Sequence, residues 1–231
     1  MPKVRLYFQK EISNSEFIYP SKQQVHYIKN VLRKKDGDQI FIFNDREEWL
    51  ARLELKRKTK LIPINLVKFK EDVPDIWICF SLIKSKNINY LIEKITEIGV
   101  KKIIPILTDH SERLRLNYER LNRIIVESVE QSESLYVPKL EPLAKIDDLL
   151  KNWNSDRSII FCDESGGEPI FKLPINKKRI AIFVGPVGGW SEKDKSYFRD
   201  RKVFKVTLGK NILKADTAAI FSLSCVRTML M

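Results

Sequence analysis

The sequence predicts an α/β fold in two parts: a small β-rich module, then a mainly parallel sheet covered by helices on both faces. Three observations carry that expectation. Residues 4–69 hold short apolar or alternating runs around one helical pattern. The polar stretch Lys70-Glu71-Asp72-Val73, ended by Pro74, breaks the pattern, and from Ile76 onward strand-like runs alternate with runs of helical period. Strands and helices in alternation call for a parallel sheet buried on both sides. The boundary is placed after residue 72, giving domains 1–72 and 73–231.

In the first domain, Val4 to Phe8 and Gln39 to Phe43 are apolar runs and Trp49 to Leu55 alternates. Leu61 to Phe69 is rich in β formers, and Pro63 marks it as an edge, because proline cannot donate to a ladder. Val25, Ile28 and Leu32 share a helical face, closed by the turn Asp36-Gly37-Asp38. Strands around one short helix suggest a small barrel. In the second domain, Ile76 to Leu82 reads as a buried strand; Ile88, Leu91, Ile92, Ile95 and Ile98 then repeat at helical spacing and stop at Gly99, a natural C-cap. Further strands are expected at Ile103 to Leu107, Ser158 to Cys162, Ile180 to Val184 and Val203 to Leu208. Further helices are expected from Leu116 through Val129, from Ser191 onward, and over Ala215 to Met229.

The 231 residues are 43% hydrophobic, enough for a core without staples. Cys79, Cys162 and Cys225 are odd in number and far apart, which excludes a disulfide framework or a CxxC pair and fits a reducing cytosol. With no signal-peptide pattern and no run of eighteen apolar residues, neither export nor membrane insertion is expected. Sixteen Lys and Arg against ten Asp and Glu fall in residues 1–72, half of the formal excess of +12 in under a third of the chain. Basic excess favours a polyanionic partner, since neutralised phosphates release counterions; a solvated basic surface is the bland alternative.

Two glycine-bearing turns at strand ends are the best candidates for chemistry. The strand ending at Val184 feeds Gly185-Pro186-Val187-Gly188-Gly189-Trp190, followed by Ser191 as an N-cap with Asp194 three positions on. Glycines there let a ligand approach bare backbone at the carboxyl end of a strand, where open α/β sheets bind ligands; a side chain at Gly188 is expected to block that approach. The turn has neither Walker A nor GxGxxG spacing, and a tight turn with no ligand also accounts for it. Val203 to Leu208 repeats the design, with Gly209 and then Lys210 through Thr217 leading into the last helix. Capping of the last helix also accounts for Asp216 or Thr217, and an exposed ion pair for Lys214 beside Asp216. His26 and His110 lie in different domains without ligand-spaced partners, so no metal site is expected, and no hydrolytic motif occurs.

Taken together, these residues resemble the ribosomal RNA small subunit methyltransferase E family of the SPOUT class. The segments that carry the likeness are Arg5-Leu6-Tyr7-Phe8, His26 through Arg33, Gly37-Asp38, Lys84, Glu93 through Val100, Pro105, Glu130-Gln131-Ser132 and Val137-Pro138. Gly185 through Gly189, Leu208-Gly209, and Ile212-Leu213 through Thr217-Ala218 complete the series in order. Departures from the family pattern fall at Ser134, Val187, Asn211, Lys214 and Asp216.

The resemblance implies a PUA-like RNA-binding barrel followed by a SPOUT domain whose C-terminal end is threaded through a trefoil knot. It implies a cytoplasmic homodimer that uses S-adenosylmethionine to methylate N3 of one uridine in 16S rRNA of the 30S subunit. Cofactor contacts would come from Leu107, Gly185, Pro186, Gly188, Gly189, Leu208, Gly209, Ile212, Leu213, Thr217 and Ala218. RNA contacts would come from Arg5, His26, Lys29, Arg33, Lys34 and Lys84. Lys214 and Asp216, charged residues beside the second glycine turn, are the catalytic candidates, Lys214 to stabilise charge on the uracil oxygens and Asp216 to accept the N3 proton. A related SPOUT enzyme acting on another rRNA or tRNA base, and an RNA-binding assembly factor without catalysis, are the competing readings.

Overall fold

The computed structural model describes residues 4–71, 73–83, 85–112, 114–174, 179–199 and 201–231. Two compact units result, Met1–Asp72 with Val129–Val137, and Val73–Ser128 with Pro138–Met231. No helix among the described residues is long and apolar enough to cross a membrane.

In the first unit, β1 (Arg5–Tyr7) runs parallel to β2 (Gln39–Phe43), and β3 (Glu47–Glu54) and β4 (Lys60–Phe69) continue the sheet antiparallel in the order β1-β2-β3-β4. Pro63 therefore does stand on an edge strand. Alternate residues Leu6, Ile40, Ile42, Ala51, Leu53 and Leu61 form the core under which Ile28 packs. The helix departs from a simple pattern. A capping box of Ser21 and Gln24 starts α1 (Lys22–His26), which then widens into a π-helical turn over Tyr27–Val31, closed by Leu32 N–H donating to Tyr27 O at 2.9 Å. The wider turn rotates the expected face, so Ile28 is buried while Val25 and Leu32 are half exposed.

Arg5 corrects an expectation. Rather than reaching RNA, its side chain is fully buried: Nε donates to Glu48 Oε1 at 2.5 Å, Nη1 to the carbonyls of Val129 (2.8 Å) and Glu130 (3.1 Å), and Nη2 to that of Ser134 (2.9 Å). The guanidinium also lies 4.1 Å from the centre of the Phe43 ring. A planar fork of five donors suits several carbonyls and one carboxylate at once, and here it ties Val129–Val137 to the sheet.

The second unit holds β5 (Asp75–Ser81), α2 (Ser85–Ile98), β6 (Lys102–Leu107), α3 (Tyr118–Gln131) as far as Ser128, β7 (Lys139–Leu140), β8 (Ala144–Lys145) and α4 (Ile146–Lys151). β9 (Ser158–Cys162), β10 (Glu168–Pro169), β11 (Arg179–Val184), α5 (Glu192–Ser196), β12 (Val203–Thr207) and α6 (Ala215–Met229) follow. The sheet order is β10-β12-β9-β11-β5-β6-β7, with β8 also on β6, and every pairing is parallel. One face, with Ile104, Ile159, Phe161, Ala181 and Phe183, packs on Ile146 and Leu150 of α4 and on Trp190 and Phe198. The other carries α6, which rests on β5, β11 and α2. Gly99 ends α2 with φ +98°, as the C-cap reading requires.

Candidate functional site

Because β9 lies between β11 and β12, three strand ends meet side by side, and each continues into an irregular loop. Between these loops opens a cleft of about 580 Å³, open mouth included. Of the expected cofactor residues, Gly185, Pro186, Leu208, Gly209, Ile212, Leu213 and Ala218 line it; Leu107, Gly188, Gly189 and Thr217 do not. A Cβ at Gly188 would meet His110 at 3.5 Å, an ordinary contact with the protein itself.

Local chemistry explains the turn after β11. Gly185 accepts no side chain because a Cβ would lie 2.8 Å from Trp190 Nε1. That indole is buried among Phe161, Phe183 and Phe198 and donates to the Cys162 carbonyl at 2.8 Å. Gly189 adopts φ +75°, and a Cβ on it would run into the Glu164 carboxylate. Its carbonyl lies 3.1 Å from His110 Nδ1. Ser191 then caps α5 in a reciprocal capping box with Asp194, as the spacing foretold. In the loop after β12, Gly209 adopts φ +126°, and Thr207 Oγ1 both donates to Gly209 O (3.1 Å) and accepts from Gly209 N–H (3.4 Å).

Cys162, Asp163, Glu164, Thr207, Lys210 and Asn211 also line the cleft and were missed from sequence. The glycine-ended run Asp163-Glu164-Ser165-Gly166-Gly167 after a strand was a visible signal, but nothing local showed that β9 lies between the other two. Burial pushes the Cys162 thiol up to about 12, so it stays a neutral S–H. Asp163 is buried, which alone would raise its carboxyl, yet hydrogen bonding from Ser165 N–H (2.9 Å) and the Lys205 ammonium at 3.1 Å hold it below its usual value. A carboxyl depressed in the folded state adds stability above its unfolded value of ~3.9, and that stability is lost as pH falls through the lower folded value. Asp163→Asn is therefore expected to lower the melting temperature at neutral pH and to flatten its decline below about pH 4. A pH series of melting curves checks this, and an acid slope equal to wild type would refute it.

The catalytic candidates flank the cleft without lining it. Lys214 occupies the N-cap of α6 with no side-chain cap bond, and its side chain is exposed. Asp216, in the first turn, accepts from Asn87 Nδ2 at 2.8 Å and from Thr217 N–H at 3.0 Å, so neither Asp216 nor Thr217 is the cap. In the first unit, His26, Lys29 and Arg33 are exposed and Lys34 half exposed, Arg33 with a left-handed backbone of φ +52°. Lys84 lies outside the described residues.

A family model described as an RNA methyltransferase domain matches residues 70–227, and one described as an RNA methyltransferase PUA domain matches residues 20–62. The ribosomal RNA small subunit methyltransferase E of Rickettsia conorii is 32% identical over 97% of this chain and 95% of its own. Among solved structures, a ribosomal RNA small subunit methyltransferase E from Neisseria gonorrhoeae bound to S-adenosyl methionine superposes with a TM-score of 0.88 at 22% identity, covering 98% of both chains. A Legionella pneumophila methyltransferase in complex with SAM gives 0.89 at 22% identity, covering 99% of this chain and 98% of its own. At that identity the superpositions speak for the fold, and the Rickettsia alignment for kinship. The likeness runs the length of the sequence, through the loops that build the cleft, and the chain belongs to the ribosomal RNA small subunit methyltransferase E family of RNA methyltransferases.

Proposed function

We propose that this protein transfers a methyl group from S-adenosylmethionine to N3 of one uridine of 16S rRNA, acting in the cytoplasm as a homodimer on the small ribosomal subunit. The observation that carries the reading is the cleft at the ends of β9, β11 and β12 in a chain of this family. Its chemistry fits the donor. Val184, Pro186, Leu208, Ile212, Leu213 and Ala218 offer apolar surface for a purine and a thioether chain, while Glu164, Thr207, Lys210 and Asn211 offer polar groups to orient it. Gly188, Gly189, Leu107 and Thr217 would shape the walls from behind. The first unit would be a PUA-like barrel that grips RNA, and the C-terminal segment ending in α6 would be the knotted part of a SPOUT domain.

When bound, the donor supplies an electrophilic methyl on a sulfonium sulfur. N3 of uracil carries a proton and is a poor nucleophile until that proton leaves. Asp216, oriented by the Asn87 amide, would accept it, and the Lys214 ammonium would offset the negative charge gathering on the uracil oxygens. Mass mapping of rRNA from cells lacking the protein tests the whole reading: one uridine should lose one methyl, restored by the purified enzyme with small subunits. An unchanged map overturns it, and a methyl missing from another base reassigns the substrate.

His26, Lys29, Arg33 and Lys34 would meet phosphates through the exposed side of α1 and the turn after it. Arg33→Ala with Lys34→Ala should weaken RNA binding and reduce the slope of log affinity against log salt by roughly 1.5, as two lost single-strand or duplex phosphate contacts require. Binding measured from low to moderate salt checks this; a slope equal to wild type would remove these two residues from the interface.

A further inference from the structure

Of the two carboxylates that line the cleft, Asp163 is committed to Ser165, Lys205 and Lys195. Glu164 has no ion-pair partner among the described residues, and it is exposed to the cleft's solvent. Its place in the sheet is specific. It follows β9 by two residues, and β9 pairs in register with β11, the strand whose end carries the glycine turn. Its carboxylate lies against the backbone of the turn at Gly189, where a Cβ would run into it.

An ionised carboxylate is a pure acceptor with two oxygens, so its natural partner is a pair of donors at matching spacing. A ribose offers that pair in its neighbouring 2′- and 3′-hydroxyls. In open parallel sheets, an acid at the end of the strand beside the glycine-turn strand meets the ribose of a nucleotide for the same geometric reason. An ion pair with the amino-acid end of the donor is the weaker use of the group, because solvent screens an exposed charge pair. We propose that Glu164 is the ribose-holding residue of this cleft, each hydroxyl of the diol donating to one carboxylate oxygen, an assignment that rests on the cleft taking S-adenosylmethionine.

The test is calorimetry on the full chain, with wild type, Glu164→Ala and Glu164→Gln. The probes are S-adenosylhomocysteine, its 2′,3′-dideoxy analogue, and 5′-methylthioadenosine, which keeps the ribose but lacks the amino-acid end. Glu164→Ala should lose roughly tenfold to a hundredfold in affinity for S-adenosylhomocysteine. It should lose the same factor for methylthioadenosine and nothing for the dideoxy analogue, with Glu164→Gln falling between. Equal loss for the dideoxy analogue would show a structural role and overturn the assignment. A loss confined to S-adenosylhomocysteine would move the carboxylate to the amino-acid end, and also overturn it. Unchanged affinity in both variants sinks Glu164 alone, whereas a wild type that binds none of the three nucleosides sinks the cofactor reading with it.

Discussion

Replacing Gly185 by valine is expected to abolish binding of S-adenosylmethionine and to lower the melting temperature. A Cβ at this position would lie 2.8 Å from Trp190 Nε1 and 2.9 Å from Cε2, closer than real side chains approach. The indole has nowhere to retreat, with ring centres of Phe161 at 4.7 Å and Phe198 at 6.0 Å. Forcing it aside costs about 1–3 kcal/mol in overpacking. Breaking its bond to the Cys162 carbonyl leaves a buried N–H unsatisfied, at about 1–3 kcal/mol more. The damage is also local to the ligand, since Cys162 and Gly185 both line the cleft that the displaced ring supports. Gly188→Ala is the matched control. Its Cβ makes ordinary contact with His110, so near wild-type binding is expected. Calorimetry and thermal unfolding on both variants decide it: wild-type affinity in Gly185→Val, or an equal loss in Gly188→Ala, refutes the account.

What was legible from the sequence was what local pattern determines. β2, β9 and α6 begin and end at Gln39–Phe43, Ser158–Cys162 and Ala215–Met229, the spans read from the sequence, because each is a run whose apolar content sets its period locally. The Ser191 and Asp194 capping box was legible for the same reason, its partners being three residues apart. Strand order was not. Nothing in residues 158–162 says that they will lie between β11 and β12, so the third wall of the cleft, with Asp163 and Glu164, went unread while the two glycine turns were found. The two-residue strands β7, β8 and β10 fall below any period. The π-helical turn at Tyr27–Val31 follows from no propensity rule, and it displaced a helical face that the spacing of Val25, Ile28 and Leu32 had drawn correctly for an ordinary helix.

Arg5 is the clearest case of a residue whose role is invisible locally, since the carbonyls it holds lie 124 to 129 positions away. Arg5→Ala is expected to destabilise the first unit by about 3–5 kcal/mol, because it strands the Glu48 carboxylate, itself fully buried, without its cation. Lys68, half exposed and 4.0 Å from the second Glu48 oxygen, is the cation left beside it, so the loss falls toward the lower end of that range. A change that removes both charges separates the ion pair from the carbonyl contacts. Arg5→Met with Glu48→Leu should recover part of the loss, as replacing a buried pair by apolar groups often does, but not the part owed to the three carbonyls. Denaturant titration of wild type and both variants measures this. RNA binding supplies the opposing readout: at a temperature where Arg5→Ala is still folded, its salt dependence should equal that of wild type, unlike Arg33→Ala with Lys34→Ala. A variant as stable as wild type whose salt slope falls by about one phosphate contact would return Arg5 to the RNA face and undo the structural role assigned to it.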